Sequence, residues 1–112
     1  YNGVFKYTFT EATKDRVFIV YKLERKEFTQ NAATYAFLVI DVKDSADDRK
    51  FYDAFRLNDR PDLHLNEWKQ WSYKYDVPVS IEKNDQVAVY VWNKGLGRFN
   101  LKSPNLKLIF LK

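Results

Sequence analysis

The run Val87-Ala88-Val89-Tyr90-Val91-Trp92 sets Val87, Val89 and Val91 against Ala88, Tyr90 and Trp92 at a period of two, and that period constrains the chain more than any other feature. Successive side chains of a strand point to opposite faces, so a period of two is a strand that shows different chemistry to its two sides. The pattern recurs. Residues 3–11 set Phe5, Tyr7 and Phe9 against Lys6 and Thr8, and residues 17–23 set Val17, Ile19, Tyr21 and Leu23 against Phe18 and Val20. Val17, Val20 and Tyr21 also sit at helical spacing, but the density of β-branched and aromatic residues favours a strand. Residues 34–42 are nearly continuous apolar sequence, as expected of a central strand covered on both faces. Residues 51–57 alternate Phe51, Asp53, Phe55 and Leu57 against Tyr52, Ala54 and Arg56, with a short helix capped through Ser45 and Asp48 as the competing reading. In residues 67–77 Trp71, Tyr73, Tyr75 and Val77 share one face, and Pro78 closes the run. Residues 98–102 and 106–111 read as the last two strands, with Ser103-Pro104-Asn105 as the turn between them.

Between these runs lie polar turns: Lys14-Asp15, residues 43–50, residues 58–66 around Asp59-Arg60-Pro61-Asp62, and Lys83-Asn84-Asp85, where Asn and Asp tolerate left-handed backbone and bond local amides. About eight short strands at intervals of roughly ten residues predict an all-β fold, an antiparallel β-sandwich or barrel. At 112 residues this is a single domain, 1–112, with one core and enough buried surface to stand without metals or crosslinks. The chain begins at Tyr1 and contains no Met, so the expectation is a domain excised from a longer protein.

The second half resembles a known family. Trp68-Lys69-Gln70-Trp71-Ser72-Tyr73-Lys74-Tyr75-Asp76-Val77-Pro78, followed by Asn84-Asp85-Gln86-Val87-Ala88-Val89-Tyr90-Val91-Trp92-Asn93, is similar to the C-terminal half of galactose-binding-like jelly-roll domains. That fold is shared by many carbohydrate-binding modules and by accessory domains of bacterial surface proteins. The resemblance covers residues 36–111 and implies a jelly-roll sandwich, an extracellular or bacterial cell-envelope location, and Trp68 capping the open end. The aromatic-x-φ-Asp-Asp/Asn-φ run that often ends such domains is replaced by Phe99-Asn100-Leu101-Lys102-Ser103-Pro104-Asn105-Leu106. The acidic pair is absent, so no calcium or sugar contact through it carries over.

Composition narrows the function classes. Cys is zero, which excludes disulfide frameworks and cysteine metal sites. Net charge is +4, but the basic residues are spread singly along strand faces, and no clustered stripe for nucleic acid is present. No apolar stretch reaches the roughly 18 residues of a membrane helix. The single His, His64, has no serine partner at a suggestive spacing among Ser45, Ser72, Ser80 and Ser103. Gly95-Leu96-Gly97 reads as a hairpin rather than a phosphate loop. A glycosidase would need Asp53 and Glu67 brought together by the fold. The expectation is a non-catalytic monomer without a cofactor, calcium at Asp44, Asp47 and Asp48 being the one metal alternative.

The aromatic content, 18%, then carries the functional reading. A sugar ring packs its C–H face on an indole or phenol while planar polar groups bond its hydroxyls. With the valines of residues 87–91 facing the core, Tyr90 and Trp92 project outward, with Asn93 and Arg98 close in sequence to orient a glycan. Tyr52, Arg56 and Trp68 form a second candidate group. Phe5, Phe9, Phe37, Phe51, Phe55, Tyr73 and Tyr75 are assigned to packing. The partner is a glycan, or alternatively a neighbouring protein domain, for which the same rings would form an interface.

Overall fold

The computed structural model describes residues 2–12, 16–28, 36–57, 65–95 and 98–111. The Lys14-Asp15 turn, Thr34 and Tyr35, Asn58 to His64, and Leu96-Gly97 lie outside the described residues. Among the described residues seven strands form: β1 (Asn2–Thr8), β2 (Arg16–Glu27), β3 (Ala36–Lys43), β4 (Arg49–Arg56), β5 (Lys69–Val77), β6 (Gln86–Asn93) and β7 (Phe99–Leu111). They make two antiparallel sheets, one in the order β1-β6-β3-β4 and the other β5-β2-β7, packed face to face as a β-sandwich.

The core lies where alternating faces meet. Val17, Ile19, Tyr21 and Leu23 of β2 oppose Leu38, Ile40 and Val42 of β3 and Val87, Val89 and Val91 of β6, all buried. Burying each such side chain is worth about 1.5–3 kcal/mol. β3 is covered on both faces as its continuous apolar run predicts: Val39, on the face away from the core, is buried too. β4 is a strand, not a capped helix. Its Phe51 and Phe55 pack on Tyr75, Phe55 stacking with ring centroids 5.8 Å apart, and Tyr75 Oη donates to Asp53 Oδ2 at 2.6 Å.

Seven strands stand where eight were expected, because the Ser103-Pro104-Asn105 turn does not reverse the chain. β7 runs through it. Opposite the β2 positions between Lys22 and Glu24 the strand takes in one extra residue, Ser103 adopts φ 54°, and pairing resumes beyond it. Such a bulge flips the alternation, so Phe99 and Leu101 before it and Leu106 and Leu108 after it all pack on the core. The Lys83-Asn84-Asp85 turn forms as expected, with Asn84 at φ 70°. Asp85 is buried there; its carboxylate accepts from Lys50 Nζ at 2.6 Å and from the Glu82 amide at 2.8 Å.

β2 extends past Leu23 into charged sequence, and the inward positions fall on Arg25 and Glu27, both fully buried. Arg25 Nη1 donates to the Leu57 carbonyl and to Tyr73 Oη, each at 3.0 Å, and Tyr73 Oη donates to the same carbonyl at 2.6 Å. Its guanidinium lies 4.1 Å over the Trp71 ring, with Nε 3.5 Å from Glu27 Oε2. Leu57 follows β4 in one sheet, whereas Arg25, Trp71 and Tyr73 belong to the other, so the cluster joins the two layers.

Removing one member of a buried ion pair strands the other charge, so Arg25→Ala is expected to lower unfolding free energy by about 3–5 kcal/mol in urea titrations. The double variant Arg25→Met with Glu27→Leu, which leaves no orphan charge, should recover much of that loss. Burial also pushes the Tyr21 phenol up to about 12, and it raises Tyr73 and Tyr75 as well. Unfolded tyrosines ionise near pH 10, so their contribution is full below pH 10 and is lost as pH climbs towards 12. Denaturation midpoints across that window should fall, and Tyr21→Phe should make the fall shallower.

Candidate functional site

The face of the four-stranded sheet turned away from the core is built by three registers. Phe37 of β3 stands between Trp92 of β6 and Arg56 of β4; Val39 stands between Tyr90 and Ala54; Asp41 stands between Ala88 and Tyr52. On β1, Lys6 pairs with Ala88. Four residues singled out in the sequence, Tyr90, Trp92, Tyr52 and Arg56, therefore share one surface, although Tyr52 and Arg56 were grouped with Trp68 on sequence grounds. Phe37, assigned to packing by its period, joins this outer surface instead, its ring 6.2 Å from that of Trp92.

Asp41 organises the surface. It is the one acid in the β3 run, and it is 7% exposed. Arg49 Nε and Nη2 donate to its two carboxylate oxygens, each at 3.1 Å, and the Arg49 guanidinium lies 4.5 Å over the Tyr52 ring. The Asp41 hydrogen bond and charge hold the Arg49 pKa above its ordinary value. A carboxylate has about four lone-pair sites, so Asp41 retains acceptor capacity beyond this fork. Beside it lies a depression of about 200 Å³, lined by Lys6, Asp41, Lys43, Gln86, Ala88 and Tyr90. Ala88 carries the smallest side chain of that set and makes the floor; the Tyr90 ring makes one wall. Asp41, Ala88, Lys6 and Gln86 were not singled out in the sequence. The available signal was an acid inside an otherwise apolar central strand, at the strand period from Phe37 and Val39.

Other candidates fall elsewhere. Asn93 has the parity of Val89 and Val91 and pairs with the buried Ala36, so it belongs to the opposite side of β6 from Trp92. Arg98 leads into β7 of the other sheet, and its carbonyl accepts from the Phe28 amide at 3.1 Å. Trp68, 37% exposed, borders a second depression, of about 460 Å³, with Tyr21, Phe99, Asn100 and Pro104. Lys102 Nζ lies 4.1 Å over its ring. Lys94 Nζ is 5.6 Å from the Trp92 ring centroid. Asp44 Oδ1 accepts from the Ala46 and Asp48 amides, each at 2.9 Å, and Asp47 pairs with Lys43, so these acids shape the β3–β4 hairpin. Asp53 is engaged by Tyr75 and by the Ala54 amide, while Glu67 lies in the exposed turn before β5. His64 lies outside the described residues.

Comparison with protein families, curated proteins and solved structures finds no match to this chain, and nothing in it identifies a galactose-binding-like domain.

The three tryptophans differ in access. Trp68 is the most open, whereas the Trp71 indole nitrogen is buried against Arg25. Acrylamide quenching should lose its most accessible component in Trp68→Phe and be little changed in Trp71→Phe, provided the latter remains folded by circular dichroism.

Proposed function

We propose that this chain is a non-catalytic carbohydrate-binding module of jelly-roll type, carried as an accessory domain of an exported or envelope protein, and that a sugar unit seats in the depression floored by Ala88. The observation that carries the reading is that depression: one aromatic wall, a small floor, and a carboxylate, an amide and two amines around the rim.

The chemistry of a pyranose fits these groups. Its axial C–H face lies against the Tyr90 ring, and the Ala88 methyl lets the ring descend without a clash. The Gln86 amide both donates and accepts, Asp41 accepts from hydroxyls through the lone pairs that Arg49 leaves, and Lys6 and Lys43 donate. The Asp41–Arg49 fork fixes the carboxylate before the ligand arrives, which lowers the ordering cost of binding. Trp92 and Phe37, one register along, and Tyr52, on the neighbouring strand, offer further apolar surface to an oligosaccharide. A sugar lying flat on Trp92 displaces the Lys94 ammonium. A shallow open site of this size gives weak affinity, so multivalent display on the parent protein would matter.

The test is titration against a panel of soluble plant and microbial polysaccharides, read by calorimetry and tryptophan fluorescence. A binding polysaccharide should lose at least about tenfold in affinity, about 1.4 kcal/mol, on Tyr90→Ala and on Ala88→Leu, which fills the floor, while Trp68→Ala leaves affinity unchanged. No saturable response across the panel, or a response lost only with Trp68, would sink this assignment. Release of reducing sugar abolished by Asp53→Asn or Glu67→Gln would replace it with a glycosidase.

A further inference from the structure

We infer that the free edge of β7 is a docking site for an extended acidic β-strand of another protein, which would add to the three-stranded sheet as its fourth strand. This does not rest on the glycan reading: Lys6 is the one lining residue the two sites share, and Tyr90 and Asp41 lie on the outer face of the other sheet.

The two layers are unequal. Four strands face three, and where β1, the edge of the larger sheet, comes close to β7, a groove stays open between the sheets. Phe5 and Tyr7 of β1 and Leu106, Leu108 and Phe110 of β7 line a groove there of about 390 Å³, with Lys6 on its rim. Its apolar groups are open to water: Tyr7 and Phe110 are each 44% exposed. One end is closed by the edge-to-face contact of Phe9 with Phe110, at 6.1 Å.

The backbone beside this groove is free as well. Among the described residues β7 pairs with β2 alone, so no described strand takes up every second amide and carbonyl along its outer edge, the arrangement that recruits another strand. The bulge at Ser103 and the missing amide of Pro104 interrupt the regular edge, so the usable run is residues 105–110. An added strand of that length would drop alternate side chains onto Phe5, Tyr7, Leu106 and Leu108, closing the groove.

Charge selects the occupant. Neither β1 nor β7 contains an acid, while Lys102 and Lys107 stand exposed on β7 and Lys6 on β1. A second copy of β7 would add lysines to lysines. A strand alternating aliphatic residues with Asp or Glu places its aliphatics in the groove and its acids beside Lys107.

The probe is a capped octapeptide of alternating valine and glutamate, N-methylated at alternate amides so that it cannot stack on itself, titrated into isotopically labelled protein. Saturable amide shifts confined to residues 105–110 and β1 are expected, with slowed hydrogen exchange at alternate amides of that run. The valine-lysine peptide should bind at least about tenfold more weakly, and Lys107→Glu, at an exposed position, should reverse the preference. Added salt should weaken the response. The proposal is overturned by an absence of saturation at millimolar peptide, by shifts mapping to the Tyr90 face, or by equal binding of both peptides. A concentration-dependent dimer that protects the same amides without peptide would overturn it too, assigning the edge to a second copy.

Discussion

The sandwich turns on a charge placed where an aliphatic side chain would be expected. Arg25 occupies an inward position of β2, at the centre of the three-stranded sheet, and holds the Leu57 carbonyl that leads out of β4 in the opposite sheet. An arginine in that space must be compensated or the layers would separate to wet it. Compensation is partial: Glu27 lies two residues along the same face, the Tyr73 hydroxyl and the Leu57 carbonyl take Nη1, and the Trp71 ring lies beneath the guanidinium, while Nε and Nη2 are buried without a hydrogen-bond partner among the described residues. The aromatic face of β5 is thereby tied to β2 at one end, while Phe51, Phe55 and Asp53 of β4 hold it at the other through Tyr75. Aliphatic burial supplies most of the driving force; the polar cluster sets how the layers meet at this end.

With the layers so placed, the two surfaces of interest follow from strand register. The outer face of the four-stranded sheet centres on β3, where Val39 is fully buried between Tyr90 and Ala54 of the neighbouring strands. That face has an acid–base pair of its own, the fork of Arg49 on Asp41, as the interior has Arg25 beside Glu27. The difference is solvent: Arg49 is half exposed, so its fork steers side chains rather than joining layers. At the β1–β7 edge the deficit of one strand leaves apolar side chains and backbone open together.

Much of the architecture was legible along the chain. The apolar run before Val42 states a strand covered on both faces, and the face of Trp71, Tyr73, Tyr75 and Val77 before Pro78 and the valine period of β6 each state a strand and its inward face, because a half-buried strand shows a period of two that no helix shares. Misreadings arose where local composition and tertiary role part. Charged residues after Leu23 suggested an end to β2, yet the strand continues, with Arg25 and Glu27 forming an ion pair inside the sandwich. Ser103-Pro104-Asn105 has the composition of a turn, yet β2 alongside offers a ladder to continue on, and one left-handed residue absorbs the excess. The site was partly legible: the period places Tyr90 and Trp92 on the face away from the valines, but it cannot bring Tyr52 and Arg56 across from β4, nor put Asp41 between them.

By itself, then, the amino-acid order determined an all-β chain, the inward faces of most of its strands, and which aromatic residues of β6 turn away from the core. These are properties of a single strand, readable from a period of two. The tertiary structure alone decided which strands are neighbours, and with that the Ala88 depression, the placement of Trp68 and Asn93 away from it, and the open edge of β7. Neighbours in a sheet are set by long-range pairing between segments tens of residues apart, and no local pattern records which strand will lie beside which.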